Sequence, residues 1–186
     1  MDTQKSPKGL FRFIILIPHR DALLPLHEYR QRLFSNGFLG AYSFPMAAPI
    51  AAVSRPFVRD ELKELGSNIR GLTKEKNGKI ISDSFGRVIF GGKYAFFGPV
   101  LDLRIEESIF PLSSKAKILH VFESPVLNAA LEDPESSGKN AEELSIPPFR
   151  AASLANLIIR PLDYGVPAYS SEWRIGPPVW LPAARS

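Results

Sequence analysis

Residues 146–182 read IPPFRAASLANLIIRPLDYGVPAYSSEWRIGPPVWLP, and the fold is decided in this stretch. Pro147 and Pro148 open a new element after a polar, acidic segment. From Phe149 to Ile159 small residues give way to branched aliphatics, the pattern of a strand. Pro161, Asp163, Gly165 and Pro167 then signal a turn, and a second strand over Tyr169 to Ile175 returns toward Trp180. Ala151, Ala152, Ser153 and Ala155 leave the first strand almost without side-chain bulk. A helix or a ligand has to fill that space.

The same pattern occurs earlier in the chain. Tyr42 to Val53 reads as a strand that the run Pro45, Met46, Ala47, Ala48, Pro49, Ile50, Ala51 and Ala52, mostly alanine and proline, again strips of bulk. Its prolines suit an edge or a bulge. Both small-residue strands leave two readings open: a groove for a ligand, or close packing of two lobes.

The run Phe149-Arg150-Ala151-Ala152-Ser153-Leu154-Ala155-Asn156, followed by Ser170-Ser171-Glu172-Trp173-Arg174-Ile175, resembles the second signature strand of the two-histidine (2H) phosphoesterases. That superfamily includes 2′-5′ RNA ligase-like proteins and cyclic nucleotide phosphodiesterases, and its strand reads His-x-Thr/Ser followed by an apolar residue. Ser153 takes the Thr/Ser position and Ala151 the His position. The first signature falls on the 42–53 stretch, with Pro49 in the His position and Ala51 in the Thr position. No register within two residues supplies a histidine.

The resemblance implies an α+β fold: two pseudo-symmetric lobes with antiparallel sheets around a central cleft, helices outside. It spans 11–182 and implies one bilobal domain over 10–182; composition adds a flexible tail at 1–9, polar with Lys5, Pro7 and Lys8, and an acidic loop at 132–145. In active members two histidines face each other across the cleft. One takes a proton from the attacking hydroxyl or water, and the other returns one to the leaving oxygen. The Thr/Ser hydroxyls and nearby basic groups hold phosphate oxygens. Alanine and proline transfer no protons, so the family mechanism cannot run here in its usual form. The resemblance thus implies a catalytically lapsed relative, with no catalytic residue in either motif. The expected ligand is a nucleotide, an RNA end or another phosphorylated small molecule.

The rest of the chain supplies the frame. Phe11 to Ile17 is apolar except at Arg12, as in a central strand covered on both faces. Asp21 to Phe34 has helical spacing at Leu23, Leu26, Arg30 and Leu33, with Pro25 placed near the start and Gly37 as a stop. Val58, Leu62, Leu65, Ile69 and Leu72 form one apolar stripe of a second helix, with Ser54 as its cap and Pro56 in its first turn. Asn77-Gly78 signals a turn. Lys79 to Phe90 and Tyr94 to Leu103 form a hairpin about Gly91-Gly92, with Val88, Phe90 and Phe96 facing a core and Gly86 at a bulge. Ser114 to Leu131 reads either as a helix broken at Pro125 or as a strand followed by a helix; the resemblance favours helix.

Charge is uneven. The net charge is +4, but 132–145 holds five acidic residues and one lysine, which leaves +8 on the remainder. A basic body suits a phosphate-bearing partner, although a soluble basic protein with no polyanion partner fits equally well. No apolar run approaches the length of a membrane span, and Leu10 to Pro18 is short and interrupted by Arg12, so a cytoplasmic protein without a membrane partner is expected. The absence of cysteine excludes disulfides, thiolate metal sites and a cysteine nucleophile.

Arg12, Arg150 and Ser153, with Tyr42, Tyr169 and Trp173, are the candidate cleft residues, since aromatic and basic side chains together suit a base and its phosphate. The competing reading packs Tyr169 and Trp173 against the sheet. His19 follows the first strand, and is the first candidate if other groups perform the proton transfers. His19, His27 and His120 make no metal spacing and read otherwise as structural or solvated. Asp60-Glu61 and Glu142-Glu143 read as helix-start charge and a solvated linker. Neither Gly91-Gly92 nor Gly37 has the spacing of a phosphate loop, and no cofactor is implied. A non-enzymatic interaction protein with a filled cleft is the remaining class.

Overall fold

The computed structural model describes residues 11–17, 20–42, 44–74, 81–90, 94–132, 158–164, 173–175 and 179–180. Two helices and nine short strands make an α+β fold in these residues. One sheet has six strands: β5 (Ile118–Val121), β2 (Ala48–Val53), β1 (Phe11–Ile17) and β7 (Ile158–Tyr164) lie side by side, and both β8 (Trp173–Ile175) and β9 (Val179–Trp180) pair with β7. The other has three, in the order β3 (Ile81–Phe90), β4 (Tyr94–Leu101), β6 (Ala130–Glu132). Every strand pair is antiparallel. The C-terminal strands therefore extend the sheet begun by β1 and β2, while the middle of the chain builds the smaller one.

β1 is central and covered on both faces, as its composition requires. Phe13, Ile14, Ile15 and Leu16 are all buried. Alternation sends Ile14 and Leu16 to a core shared with the helices, and Phe13 and Ile15 to a second, aromatic core. β2 divides in the same way: Ala48 and Ala51 join the first core, and Ala52, with Ala47 just before the strand, the second. The aromatic core closes over them with Phe13, Phe44, Phe96 and Phe122, whose rings meet at 4.8–6.3 Å between centroids. Small residues in β2 thus accommodate large ones on the neighbouring elements.

The prolines find places where a missing N–H does no harm. Pro49 pairs with Ile15, next to a register shift that leaves Ile50 as the extra residue of a bulge. The expected bulged position is found, although β2 is interior to the sheet. Pro161 was expected in a turn but lies within β7, opposite Ile14. β8 pairs with Leu162–Tyr164 and β9 with Ile158 and Ile159, so Pro161 falls in the interval between them.

α1 (Arg20–Ser35) buries Leu26, Tyr29, Arg30 and Leu33. Pro25 lies in its second turn, one turn deeper than expected. Gly37, at φ 91°, ends the helix: its N–H bonds the Phe34 carbonyl, and the Phe38 N–H bonds that of Leu33. That double bond is the Schellman arrangement, with Phe38 and Leu33 packing in the same core.

α2 (Arg59–Lys74) buries Leu62, Leu65 and Ile69. Its stripe does not begin at Val58, which is exposed and precedes the helix, nor is Ser54 its cap. The Val58 N–H is instead bonded by Glu61 Oε2 at 2.8 Å, so a side chain three residues into the helix satisfies the orphan donor. Pro56 lies before the first turn.

The hairpin β3–β4 forms as expected, with Phe96 buried and Val88 half-buried against the aromatic core. Gly86 is not bulged: it pairs with Gly98 in a regular ladder, and the irregularity lies between Ile81 and Phe85. The largest departure is 112–131. Leu112–Lys117 is a 3-10 segment, β5 follows, and the chain then runs extended through an isolated bridge at Val126 into β6. The Phe122 N–H bonds Ile50, and the Leu127 and Ala129 N–H groups bond Pro99 and Phe97. These long-range bonds and the branched residues Ile118, Val121 and Val126 outweigh the helical reading: the strand of the alternative reading is found as β5, while the helix expected after it is an extended run into β6. The strand start at Tyr42 is also corrected to Ala48, because Leu39–Tyr42 is a 3-10 turn and the Ala47 N–H closes a tight turn on the Pro45 carbonyl. The tail at 1–9, the turns at Asn77-Gly78 and Gly91-Gly92, residues 133–145 and the strand start at Phe149 lie outside the described residues.

Candidate functional site

Of the cleft residues expected from sequence, Arg12 is the one whose side chain is described in contact. It lies in β1 between Val53 of β2 and Asp163 of β7. Its Nη1 donates to the Ser54 carbonyl at 3.3 Å, where β2 ends. Ser54 in turn gives its N–H (2.7 Å) and hydroxyl (3.1 Å) to the Lys117 carbonyl. Arg12 thus borders a junction of three segments: β1, the end of β2 and the entry to β5.

Tyr42 closes the 3-10 turn at Leu39–Tyr42, and Trp173 opens β8, paired with Tyr164. Register relates Trp173 to Arg12. One cross-strand row runs Val53, Arg12, Asp163, Arg174, and the next runs Phe11, Tyr164, Trp173. Arg150, Ser153, Tyr169 and His19 lie outside the described residues, as does Ala151 in the second His position.

The first signature position is described in full. Pro49 and Ala51 sit in β2, whose six residues are Ala-Pro-Ile-Ala-Ala-Val and are all buried. Ala51 pairs with Ile14 on one side and Val121 on the other. The adjacent Ala52 pairs with His120, an exposed residue of β5 whose ring meets Phe122 edge-on at 4.8 Å between centroids. His27 is half-buried on α1. Among the described residues, no group of three or more His, Asp or Glu side chains is arranged to hold a metal ion.

The best-formed charged cluster was missed at the sequence level. Glu61 is 6% exposed and accepts from Lys117 Nζ at 2.7 and 2.9 Å, from Ser113 Oγ at 3.1 Å and from the Val58 N–H. Lys117 Nζ also reaches the Pro56 carbonyl at 3.5 Å and lies 5.9 Å from the Phe57 ring centre. Burial alone would raise the Glu61 carboxyl. Lys117, the Val58 N–H and the Ser113 hydroxyl outweigh it and hold the group below its ordinary range. With four donor contacts the carboxylate is saturated, so the cluster is a clasp between α2 and the entry to β5. Asp60, by contrast, stays exposed. Glu61 stands three residues after the cap, the signal that could have separated the two, but Val58 in place of Ser or Thr hides the capping pattern.

Comparison with known protein families, with curated proteins and with solved structures finds no match to this chain. No helix among the described residues is long and apolar enough to cross a membrane.

Proposed function

We propose that this chain is a catalytically lapsed relative of the 2H phosphoesterases, bilobal about a central cleft, that binds a nucleotide, RNA end or other phosphorylated small molecule without turning it over. The observation that carries the reading is the composition of β2. The strand aligned with the first signature offers Pro49 and Ala51 and has no titratable side chain anywhere along it. A proton-transfer pair would have to be rebuilt from other elements. The basic body and Arg12, at the junction beyond β2, are what favour a phosphate-bearing ligand.

A second reading is favoured by a specific observation. Both faces of β2 are closed by core side chains, and Leu112 and Leu119 are 83% and 70% exposed near the sheet's outer edge. A filled seam with exposed apolar residues suits an interaction protein.

The test is hydrolysis of a 2′,3′-cyclic nucleotide by the purified protein, with binding of the same nucleotide followed in parallel. Saturable, salt-sensitive binding without turnover, weakened in Arg12→Ala, is the expected result. Turnover lost in His19→Ala would overturn the lapsed-enzyme reading and place chemistry at His19. Neither turnover nor binding would transfer the argument to the interaction protein.

A further inference from the structure

Two segments distant in sequence form one surface beside the Glu61 clasp. Phe57 and Phe110 meet edge-on at 6.3 Å between ring centres, and Lys117 Nζ reaches the Pro56 carbonyl at 3.5 Å, so residues 54–59 lie against residues 110–117. Two apolar side chains point out of this seam: Val58 is 59% exposed and Leu112 83%. The clasp holds them close together, because the Val58 N–H and the hydroxyl of Ser113, the neighbour of Leu112, bond the same carboxylate.

The charge here is one-sided. Neither segment contains an acidic residue. Lys117 is taken up by Glu61, whereas Arg55, Arg59 and Lys115 have no ion-pair partner among the described residues. Arg55 and Arg59 are exposed and Lys115 is half-buried. Wet apolar side chains among unbalanced cations match a partner that brings both apolar and anionic groups. A phosphate group alone would leave Val58 and Leu112 in water. A flat anionic surface would meet Asp60, whose side chain is 94% exposed directly after Arg59. A narrow peptide avoids it, and the clasp fixes both segments beforehand, which lowers the ordering cost of binding.

We propose that this surface docks a short acidic peptide segment of a partner protein, its apolar side chains on Val58 and Leu112 and its carboxylates on Arg55, Arg59 and Lys115. The proposal rests on the interaction-protein reading and uses none of the residues assigned to the nucleotide.

Fluorescence anisotropy on the full-length protein tests this, with a labelled short peptide alternating glutamate and leucine. Peptides of glutamate alone and of lysine with leucine are the controls, and a 2′,3′-cyclic nucleotide is titrated in parallel. The glutamate–leucine peptide should bind saturably and more tightly than either control. Leu112→Glu and Arg55→Glu, both at exposed positions, should each weaken it by about tenfold or more. Unchanged affinity in both variants overturns the proposal, as does equal binding of the all-glutamate peptide or binding to phosphatidylserine vesicles in place of the peptide. Nucleotide bound without peptide removes both this surface and the interaction-protein reading. Neither bound removes this surface alone.

Discussion

Lys117 Nζ lies 2.7 Å from Glu61 Oε2 and 2.9 Å from Oε1, joining two positions 56 residues apart. The pair ties the first turn of α2 to the segment that enters the outermost strand of the large sheet. Glu61 is 6% exposed and the Lys117 side chain 19%, so solvent screens the contact only weakly.

Removing one partner should cost far more than removing both. Lys117→Met leaves a buried carboxylate with only Ser113 and the Val58 N–H, and about 3 kcal/mol of stability should be lost. The double variant Glu61→Gln/Lys117→Met should recover part of that loss. Urea denaturation of the two variants checks this; a K117M protein within about 0.5 kcal/mol of wild type, the range of an ordinary surface substitution, would show the clasp to be energetically idle.

The same pair sets a pH dependence. The folded-state pKa of Glu61 is depressed, so between the folded and unfolded values the unfolded chain binds more protons, and stability rises with pH. The contribution is complete above the unfolded carboxyl range, near 4.5, and disappears as pH falls through the lower folded value. The stability difference between wild type and Glu61→Gln should accordingly be largest at neutral pH and shrink under acid. A difference that stays flat from pH 7 to pH 3 would refute the assignment.

Two glycines in the described residues predict opposite outcomes. At Gly98 an added Cβ would land on the Leu127 carbonyl oxygen, in backbone that cannot swing aside, so Gly98→Ala should break the β4–β6 pairing and destabilise the protein severely. At Gly71, inside α2, nothing lies within 4 Å of the added carbon. Gly71→Ala should therefore stabilise by about 0.5–1 kcal/mol through the lower entropy of the unfolded chain. Thermal melts of the two variants decide between this reading and one in which the segment before β6 is loosely packed.

What could be read from sequence follows the range over which each element is determined. β1, α2 and the hairpin announce themselves by local periodicity, and Gly37 marks the end of α1. β5 and β6 are three or four residues long and exist because Ala51–Val53 and Ala95–Phe97 offer ladder partners far away in sequence. Ile118 and Val121 leave a strand open as one of two readings, but nothing local settles it against a helix or signals β6. Pro161 misleads for the same reason, being a turn residue by type and a strand residue through the interval between β8 and β9. At the candidate site, the absence of histidine from β2 was legible because it needs only identity. The Glu61 clasp was not, because Lys117 and Ser113 arrive from a distant segment.

Ala51 separates the two meanings of the small-residue strand. It is wholly buried, paired with Ile14 and Val121, and occupies the position that the resemblance assigns to the signature threonine. Ala51→Leu adds three carbons to a close-packed seam between β2 and the helix-side core. The cost should be about 1–3 kcal/mol, seen as a lower denaturation midpoint. A groove open at β2 would behave differently: leucine would fill accessible space, the midpoint would hold, and nucleotide binding would be lost instead. Measuring the midpoint and the nucleotide affinity of A51L together therefore locates the ligand. A lower midpoint with affinity retained in the folded fraction assigns any ligand to elements beyond β2, Arg12 foremost. An unchanged midpoint with affinity lost would put the ligand on β2 and show the aromatic and helix-side cores to be less complete there than their burial indicates.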